Sequence, residues 1–365
     1  MTRLHQLHDR HGQSPWLDNL TRGDLTSGRL QHLVAQGIRG VTSNPTIIAK
    51  AIGGSADYDG QLAALTAAGR DAEASYWALV TSDLNGALAV LRPLYDRTEG
   101  GDGFVSVELA PDLAHDTQAS VQAARALHQR IPEPNLLVKI PATAEGVAAV
   151  RQVTAEGLSI NVTLLFGLDR YEQILEAYLQ GLEEHHGDLS GVHSVASFFV
   201  SRVDTEVDRR LEAIGSSAAL ALRGKAAVAQ ARLAYQLFRD RFSGPRWQAL
   251  VTRGARPQRL LWASTSTKNP AYPDTMYVDS LIGPDTITTL PEATIAAFED
   301  HGTLATTITQ DVEDARATLD RLAVVGVDLR HVARVLEDGG VAAFADSYDR
   351  LLALLQARTP GVGVA

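Results

Sequence analysis

Short runs of strand-forming residues alternate with longer stretches whose apolar side chains recur every three or four positions, and the alternation continues nearly to the C-terminus. Such repetition is the pattern of successive βα units around a parallel sheet. The strand-like runs are 15–20 (PWLDNL), 40–44 (GVTSN), 104–109 (FVSVEL), 136–140 (LLVKI), 159–165 (SINVTLL), 194–199 (SVASFF), 259–264 (RLLWAS) and 285–289 (DTITT). They number eight, which favours closure into a (β/α)8 barrel over an open doubly wound sheet. The helical period is clearest after the fifth run, where Leu168, Tyr171, Ile174, Leu175, Tyr178, Leu179 and Leu182 share a face. Two crossovers are too long for one helix: 45–103 carries one helical pattern before Gly69 and another running to about Arg97, and 204–258 carries at least two. The tail from Val312 to Gln356 holds further helices, with Phe344, Tyr348, Leu351, Leu352 and Leu355 on one face, and the final TPGVGVA reads as a loose end. The expectation is one α/β domain spanning 1–365, a TIM barrel with additional helices inserted after strands 2 and 6 and at the C-terminus.

Within a barrel strand, side chains alternate between the interior and the surrounding helix layer. In 136–140, Val138 and Ile140 suit the helix layer, which turns Leu137 and Lys139 inward. The same test turns Ser106 and Glu108 inward, with Val105, Val107 and Leu109 outward, and turns Asn161 and Thr163 inward, with Val162 and Leu164 outward. Asp18 shares a face with Trp16, Thr42 with Asn44, and Ser197 with Phe199. Near the C-terminal ends of six strands these form a ring of Asp18, Asn44, Glu108, Lys139, Asn161, Thr163 and Ser197, on the face where barrel active sites lie.

Lys139 is the anomaly of its strand, since lysine is almost never fully buried without a partner. Taken alone it has two readings: a side chain at the strand end that reaches water along its own stem, or a buried amine poised as a carbonyl nucleophile. A lone polar residue at a strand end is usually a cap or a satisfied hydrogen bond. Seven from six strands are harder to explain that way, because an unpaired buried polar group costs about 1–3 kcal/mol. Their convergence favours a catalytic site.

The residue types point to Schiff-base chemistry. A neutral lysine adds to a ketone to give a carbinolamine, and loss of water leaves an iminium ion, an electron sink for cleavage of the neighbouring carbon–carbon bond. Glu108 and Thr163, through a water, suit the proton shuttle, and Asp18 suits the base that takes a hydroxyl proton. Asn44 and Asn161 offer groups for sugar hydroxyls. Arg202, after the sixth strand, and Lys268, after the seventh, would sit at the barrel mouth as candidates for a phosphate, although for either alone a surface salt bridge is the favoured reading.

Composition narrows the remaining classes. The 365-residue chain has 45% hydrophobic and 21% charged residues, ordinary for a soluble protein, and its net charge of −10 argues against non-specific nucleic-acid binding. With no cysteine, disulfides, thiolate metal sites and a cysteine nucleophile are excluded. The N-terminal MTRLHQLHDRHGQ has no apolar core of a signal peptide, and no apolar run reaches the length of a membrane span, so a cytoplasmic protein without membrane contact is expected. His5, His8 and His11 lie on a short polar segment and read as solvated rather than metal-binding, and His185 and His186 follow a helix and read as partners of its C-terminus. HExxH, P-loop and helix-opening GxGxxG motifs are absent, and ASTSTK has Thr265 where a Ser-x-x-Lys nucleophile needs serine.

The motifs together carry a resemblance. WLDNL with Asp18, GVTSNPTI with Thr42 and Asn44, SVEL with Glu108, LLVKIPAT with Lys139, INVTLLF with Asn161 and Thr163, and SVASFFVSRVD with Ser197 and Arg202 resemble transaldolase, in order and over nearly the whole chain, and most closely its longer bacterial form. The resemblance implies a class I Schiff-base transferase of the non-oxidative pentose phosphate pathway. It would move a dihydroxyacetone unit from sedoheptulose 7-phosphate to glyceraldehyde 3-phosphate, with no cofactor and no metal, as a monomer or homodimer. It assigns Lys139 as the imine-forming residue, Asp18 as the base for the carbon–carbon step, Glu108 with Thr163 as the acid–base pair, Thr42, Asn44, Asn161 and Ser197 to substrate hydroxyls, and Arg202 to phosphate. The chain departs from the family after the seventh strand. Shorter members read roughly ASFRN there and supply a second arginine, whereas ASTSTKN is two residues longer and supplies Lys268. Fructose 6-phosphate aldolases share the lysine strand but resemble a version with Gln at the Glu108 position and Tyr at the Phe199 position, so transfer is favoured over simple cleavage. A barrel that only binds a sugar phosphate would predict loss of Lys139 or its acid–base partners, and all are present.

Overall fold

Aliphatic and β-branched residues dominate the strands, and β4 (Leu136–Pro141), β5 (Ile160–Leu165) and β6 (Ser194–Phe199) are buried at every position, as parallel strands covered on both faces must be. The others are β1 (Gln13–Asp18), β2 (Gly40–Thr42), β3 (Phe104–Glu108), β7 (Arg259–Ala263) and β8 (Thr286–Leu290). In the computed structural model, which describes residues 1–358, each strand pairs in parallel with the next and β8 closes on β1, giving the expected eight-stranded barrel. The terminal TPGVGVA lies outside the described residues.

The long crossovers are helical. Between β2 and β3 run Pro45–Gly54, Asp59–Ala67 and Ala72–Arg97, so the pattern before Gly69 is two helices rather than one. The first starts directly after β2 because the Asn44 side chain accepts a hydrogen bond from Ile47 N at 3.0 Å and Pro45 occupies the first turn. Between β6 and β7 run Ser201–Ile214, Ser217–Leu220, Ala226–Arg241 and Gly244–Val251. The tail folds into Val312–Val324 and Leu329–Arg358. In the latter, Phe344, Tyr348, Leu351 and Leu355 are buried and Leu352 packs beside them, half-buried. Among the described residues no helix is long and apolar enough to cross a membrane.

The two ends of the barrel are filled differently. Midway, Trp16 is fully buried and lies so close to β2 that a Cβ at Gly40 would fall 2.5 Å from its ring. Below it, at the N-terminal ends of the strands, Asp102 accepts hydrogen bonds from Arg39 Nε at 2.6 Å, Arg259 Nη2 at 3.0 Å and Ser14 Oγ at 2.8 Å. Burial alone would raise the Asp102 carboxyl, but the Arg259 and Arg39 guanidiniums outweigh it and hold the pKa below its ordinary value. The stability this brings is therefore present above the pKa of the unfolded carboxyl and lost as pH falls through the lowered folded value. Asp102→Asn, which leaves two guanidiniums facing each other, is expected to cost about 3 kcal/mol at pH 7 and to lower the melting temperature by several degrees. The deficit should shrink as thermal melts are taken toward pH 3; an unchanged melting temperature at pH 7 would refute the assignment.

Candidate functional site

β4 sets the centre of the site. Lys139 is 5% exposed, and its Nζ donates to Glu108 Oε2 at 3.2 Å and to the Ser43 carbonyl at 3.1 Å. The strand-end, water-seeking reading is therefore excluded. Glu108, Lys139 and Asn161 are register partners across β3, β4 and β5, so the hydrogen-bonded sheet itself fixes their spacing.

Asp18, Thr42, Asn44, Lys139, Thr163, Ser197, Arg202 and Lys268 line one cavity of about 290 Å³ at the C-terminal end of the barrel. Glu108 and Asn161 lie behind its wall, both buried. Asn161 is engaged there: its Nδ2 donates to Ser106 Oγ at 3.0 Å, and its Oδ1 accepts from Ser197 Oγ at 2.7 Å. Ser197 is thus held from below and faces the cavity from above. The carboxamide oxygen of Asn44 is used as a helix cap, which leaves its N–H groups as the end that a ligand in the cavity could engage.

Burial is the main influence on both carboxyls. It raises the Asp18 pKa, opposed first by Lys139 and then by the hydrogen bond from Thr42 Oγ1 at 3.0 Å. Burial likewise raises Glu108 against the attraction of Lys139. Both hold a proton more readily than a solvated carboxylate, as acid–base groups working near neutral pH must. Glu108 Oε1 and Thr163 Oγ1 are buried polar atoms with no hydrogen-bond partner among the described residues. Thr163 lies within a shift in the pairing of β5 with β6, between Val162 and Leu165, and Leu164 there adopts a φ of 58°. A bulge of this kind re-aims the side chains beside it.

The mouth is positive. The Arg202 guanidinium lies 5.1 Å from the Phe199 ring centroid, and burial lowers its pKa. Lys268 Nζ donates to Ser266 Oγ at 2.7 Å, and desolvation lowers its pKa, with Arg202 and Lys50 adding repulsion. Among the described residues neither Arg202 nor Lys268 is paired with a carboxylate, so the surface salt-bridge reading fails for both, and Lys50 beside them has no carboxylate partner there either. Lys50 is a residue that strand parity could not reveal. A signal for it exists, because once Asn44 caps a helix, Thr46 and Lys50 fall one turn apart on the face that lines the cavity. Thr289 from β8, Ser264 and Ser266 after β7, and Phe344 from the C-terminal helix are also part of the lining. Phe344 carried no such signal, since an apolar residue on an apolar helix face reads as core.

The histidines lie elsewhere. His8 bonds Asp9, and His185 Nδ1 meets the Ala155 carbonyl at 2.9 Å, so its ring partners the C-terminal end of helix Ala144–Ala155 rather than that of helix Leu168–Glu184, which it follows.

Comparison with known proteins agrees with this geometry. Residues 15–355 match the family model described as transaldolase/fructose-6-phosphate aldolase. A protein of Parafrankia sp. named transaldolase is 51% identical over 346 residues, covering 93% of this chain and 94% of its own length. One of Thermobifida fusca with the same name is 50% identical over 354 residues, covering 96% of each. One of Mycobacterium tuberculosis, also so named, is 48% identical over 347 residues, covering 93% of each. The chain belongs to the transaldolase/fructose-6-phosphate aldolase family.

Proposed function

We propose that this chain is a transaldolase that carries a dihydroxyacetone unit as an imine on Lys139, from sedoheptulose 7-phosphate to glyceraldehyde 3-phosphate, giving erythrose 4-phosphate and fructose 6-phosphate. The observation that carries the reading is a buried lysine amine 3.2 Å from a carboxyl whose proton affinity is raised, opening on a cavity with a second raised carboxyl and an unpaired cationic rim.

An amine attacks only when unprotonated, and Glu108 is positioned to take that proton. Addition to the donor's C2 carbonyl gives a carbinolamine. Its hydroxyl leaves as water after protonation, for which Glu108 Oε1 and Thr163 Oγ1, both without a partner among the described residues, are available through a bridging water. Asp18 removes the C4 hydroxyl proton, the C3–C4 bond breaks, and its electron pair moves into the iminium to form an enamine while erythrose 4-phosphate departs. The enamine carbon then attacks the acceptor aldehyde, and hydrolysis returns the free lysine. Asn44, Thr42 and Ser197 hold substrate hydroxyls, and Asn161 supports them from behind the cavity wall. Arg202 chelates the phosphate while Lys268 and Lys50 add point charge. The chain works as one barrel domain, monomer or homodimer, in the cytoplasm, on soluble sugar phosphates.

Borohydride added during incubation with fructose 6-phosphate should fix a three- or six-carbon adduct on the peptide containing Lys139, read by peptide mass spectrometry; an unmodified Lys139 under turnover sinks the mechanism. Glu108 and Phe199 favour transfer over simple cleavage, so free dihydroxyacetone released without an acceptor aldehyde should appear at least about tenfold more slowly than transfer, a barrier difference of roughly 1.4 kcal/mol. Equal rates would support the aldolase reading. For Asp18, a raised carboxyl opposes folding once ionised: the cost begins above the unfolded pKa of about 3.9 and is complete above the folded pKa. Asp18→Asn should therefore melt a few degrees higher at pH 8, with the gain vanishing near pH 4, while transfer falls by about 100-fold or more. A variant that melts lower at pH 8 than the parent would contradict the burial account.

A further inference from the structure

Helix Ser201–Ile214 carries Arg202 at its start and two carboxylates, Asp204 and Asp208, one turn apart. Both are buried, and neither forms an ion pair among the described residues. Asp204 accepts from Tyr277 Oη at 2.9 Å and from Ala227 N at 2.8 Å. Asp208 accepts from Tyr272 Oη at 2.5 Å and from Gly224 N at 2.9 Å. Two buried carboxyl groups one turn apart on a helix face are a costly arrangement, since ionising both would set like charges side by side. Burial, with Asp208 nearby, pushes Asp204 up to about 7 despite its hydrogen bonds. Neither lies on the cavity wall, so the proton chemistry described above makes no use of them.

Both tyrosines belong to the segment that leaves β7 and carries Lys268. Its base is tied to the same helix, since Ser264 Oγ lies 2.9 Å from Ser201 Oγ and the Ser264 carbonyl accepts from Ser201 N at 3.2 Å. Four residues beyond Lys268, Tyr272 is seated over Gly224, where a Cβ would lie 2.7 Å from the ring. The segment is thus fastened before and after Lys268 to the helix that carries Arg202 in its first turn. The two carboxylates are the far fastenings.

We propose that Asp204 and Asp208 are positioning residues: through the hydroxyls of Tyr277 and Tyr272 they hold Lys268 beside Arg202, so that both cations meet one substrate phosphate. The inference rests on the phosphate reading of Arg202 and Lys268. A lysine on an untethered loop would lose side-chain and loop entropy on each binding event, and the fastening removes that cost beforehand.

The test uses the full-length protein with inorganic phosphate as a competitive inhibitor. Tyr272→Phe keeps the ring and removes the hydroxyl; loss of one such hydrogen bond should raise the phosphate Ki and the KM for fructose 6-phosphate about fivefold, with kcat within about twofold. Borohydride trapping by unphosphorylated dihydroxyacetone should proceed at the parent rate, because it probes Lys139 without the phosphate site. In a Lys268→Ala background, Tyr272→Phe should add nothing further. A full Tyr272→Phe effect in that background, or an unchanged Ki in the folded single variant, overturns the positioning role. Tyr277→Phe should act in the same direction, and if it does not fold, the half-buried Tyr272 decides alone. Should Lys268→Ala itself leave the Ki unchanged, the phosphate reading of Lys268 and the inference fall together, while imine trapping on Lys139 would still support the transaldolase reading.

Discussion

The structure depends on keeping one amine out of water without leaving it unpartnered. A lysine in a dry barrel interior is tolerable only with partners, and Lys139 has two, the Glu108 carboxylate and the Ser43 carbonyl. The first comes from the adjacent strand in register, the second from the turn after β2. Displacing any of these elements strands a buried polar group. The requirement extends outward: Glu108 is itself buried and raised, and the aliphatic residues of β4 exclude the water that would otherwise solvate the pair.

The barrel solves opposite electrostatic problems at its two ends. At the bottom, one carboxylate is held between two guanidiniums and driven toward ionisation, an arrangement that is closed on itself. At the top, two carboxyls are driven toward the protonated form while three cations at the rim lack carboxylate partners among the described residues. Satisfied charge makes a plug. Unsatisfied charge, with atoms such as Glu108 Oε1 and Thr163 Oγ1 lacking partners among the described residues, leaves room for a bound ligand to be the missing partner, the role the proposed function gives to a sugar phosphate. Trp16, with Gly40 making room for it, separates the two.

What was legible in the sequence follows from periodicity. A strand has a period of two, so inward residues on β3, β4 and β5 could be read by parity, and the sheet register then places Glu108, Lys139 and Asn161 side by side. Parity says which face a residue occupies but not its depth, which is why Asn161 reads as a cavity residue and yet lies behind the wall, bonded to Ser106 and Ser197. It is also blind to elements that reach the rim from elsewhere. Lys50 comes from a helix after β2 and Phe344 from the far end of the chain, and only tertiary packing brings them over the mouth. The bulge at Leu164 escaped for a related reason, since nothing in NVTLL marks a left-handed backbone at a leucine.

That bulge shows how rim and floor are joined. A leucine at φ 58° is strained and persists only where its surroundings over-determine it. Here the C-terminal helix supplies the constraint. Gly340 approaches Leu164 so closely that a Cβ would fall 2.9 Å from its Cδ2, so the absence of a side chain at 340 lets the helix press on the bulge. One turn on, the same helix places Phe344 in the cavity wall, and Ser347 Oγ lies 2.9 Å from Thr46 Oγ1, on the helix that carries Lys50. A single helix therefore touches the strand that aims Thr163, the aromatic side of the cavity and the helix bearing a rim cation. The floor owes its accuracy to the hydrogen-bonded sheet, and the rim owes its shape to this one long contact, so changes in which sugar phosphate is accepted can arise at the rim without disturbing the spacing of Lys139 and Glu108.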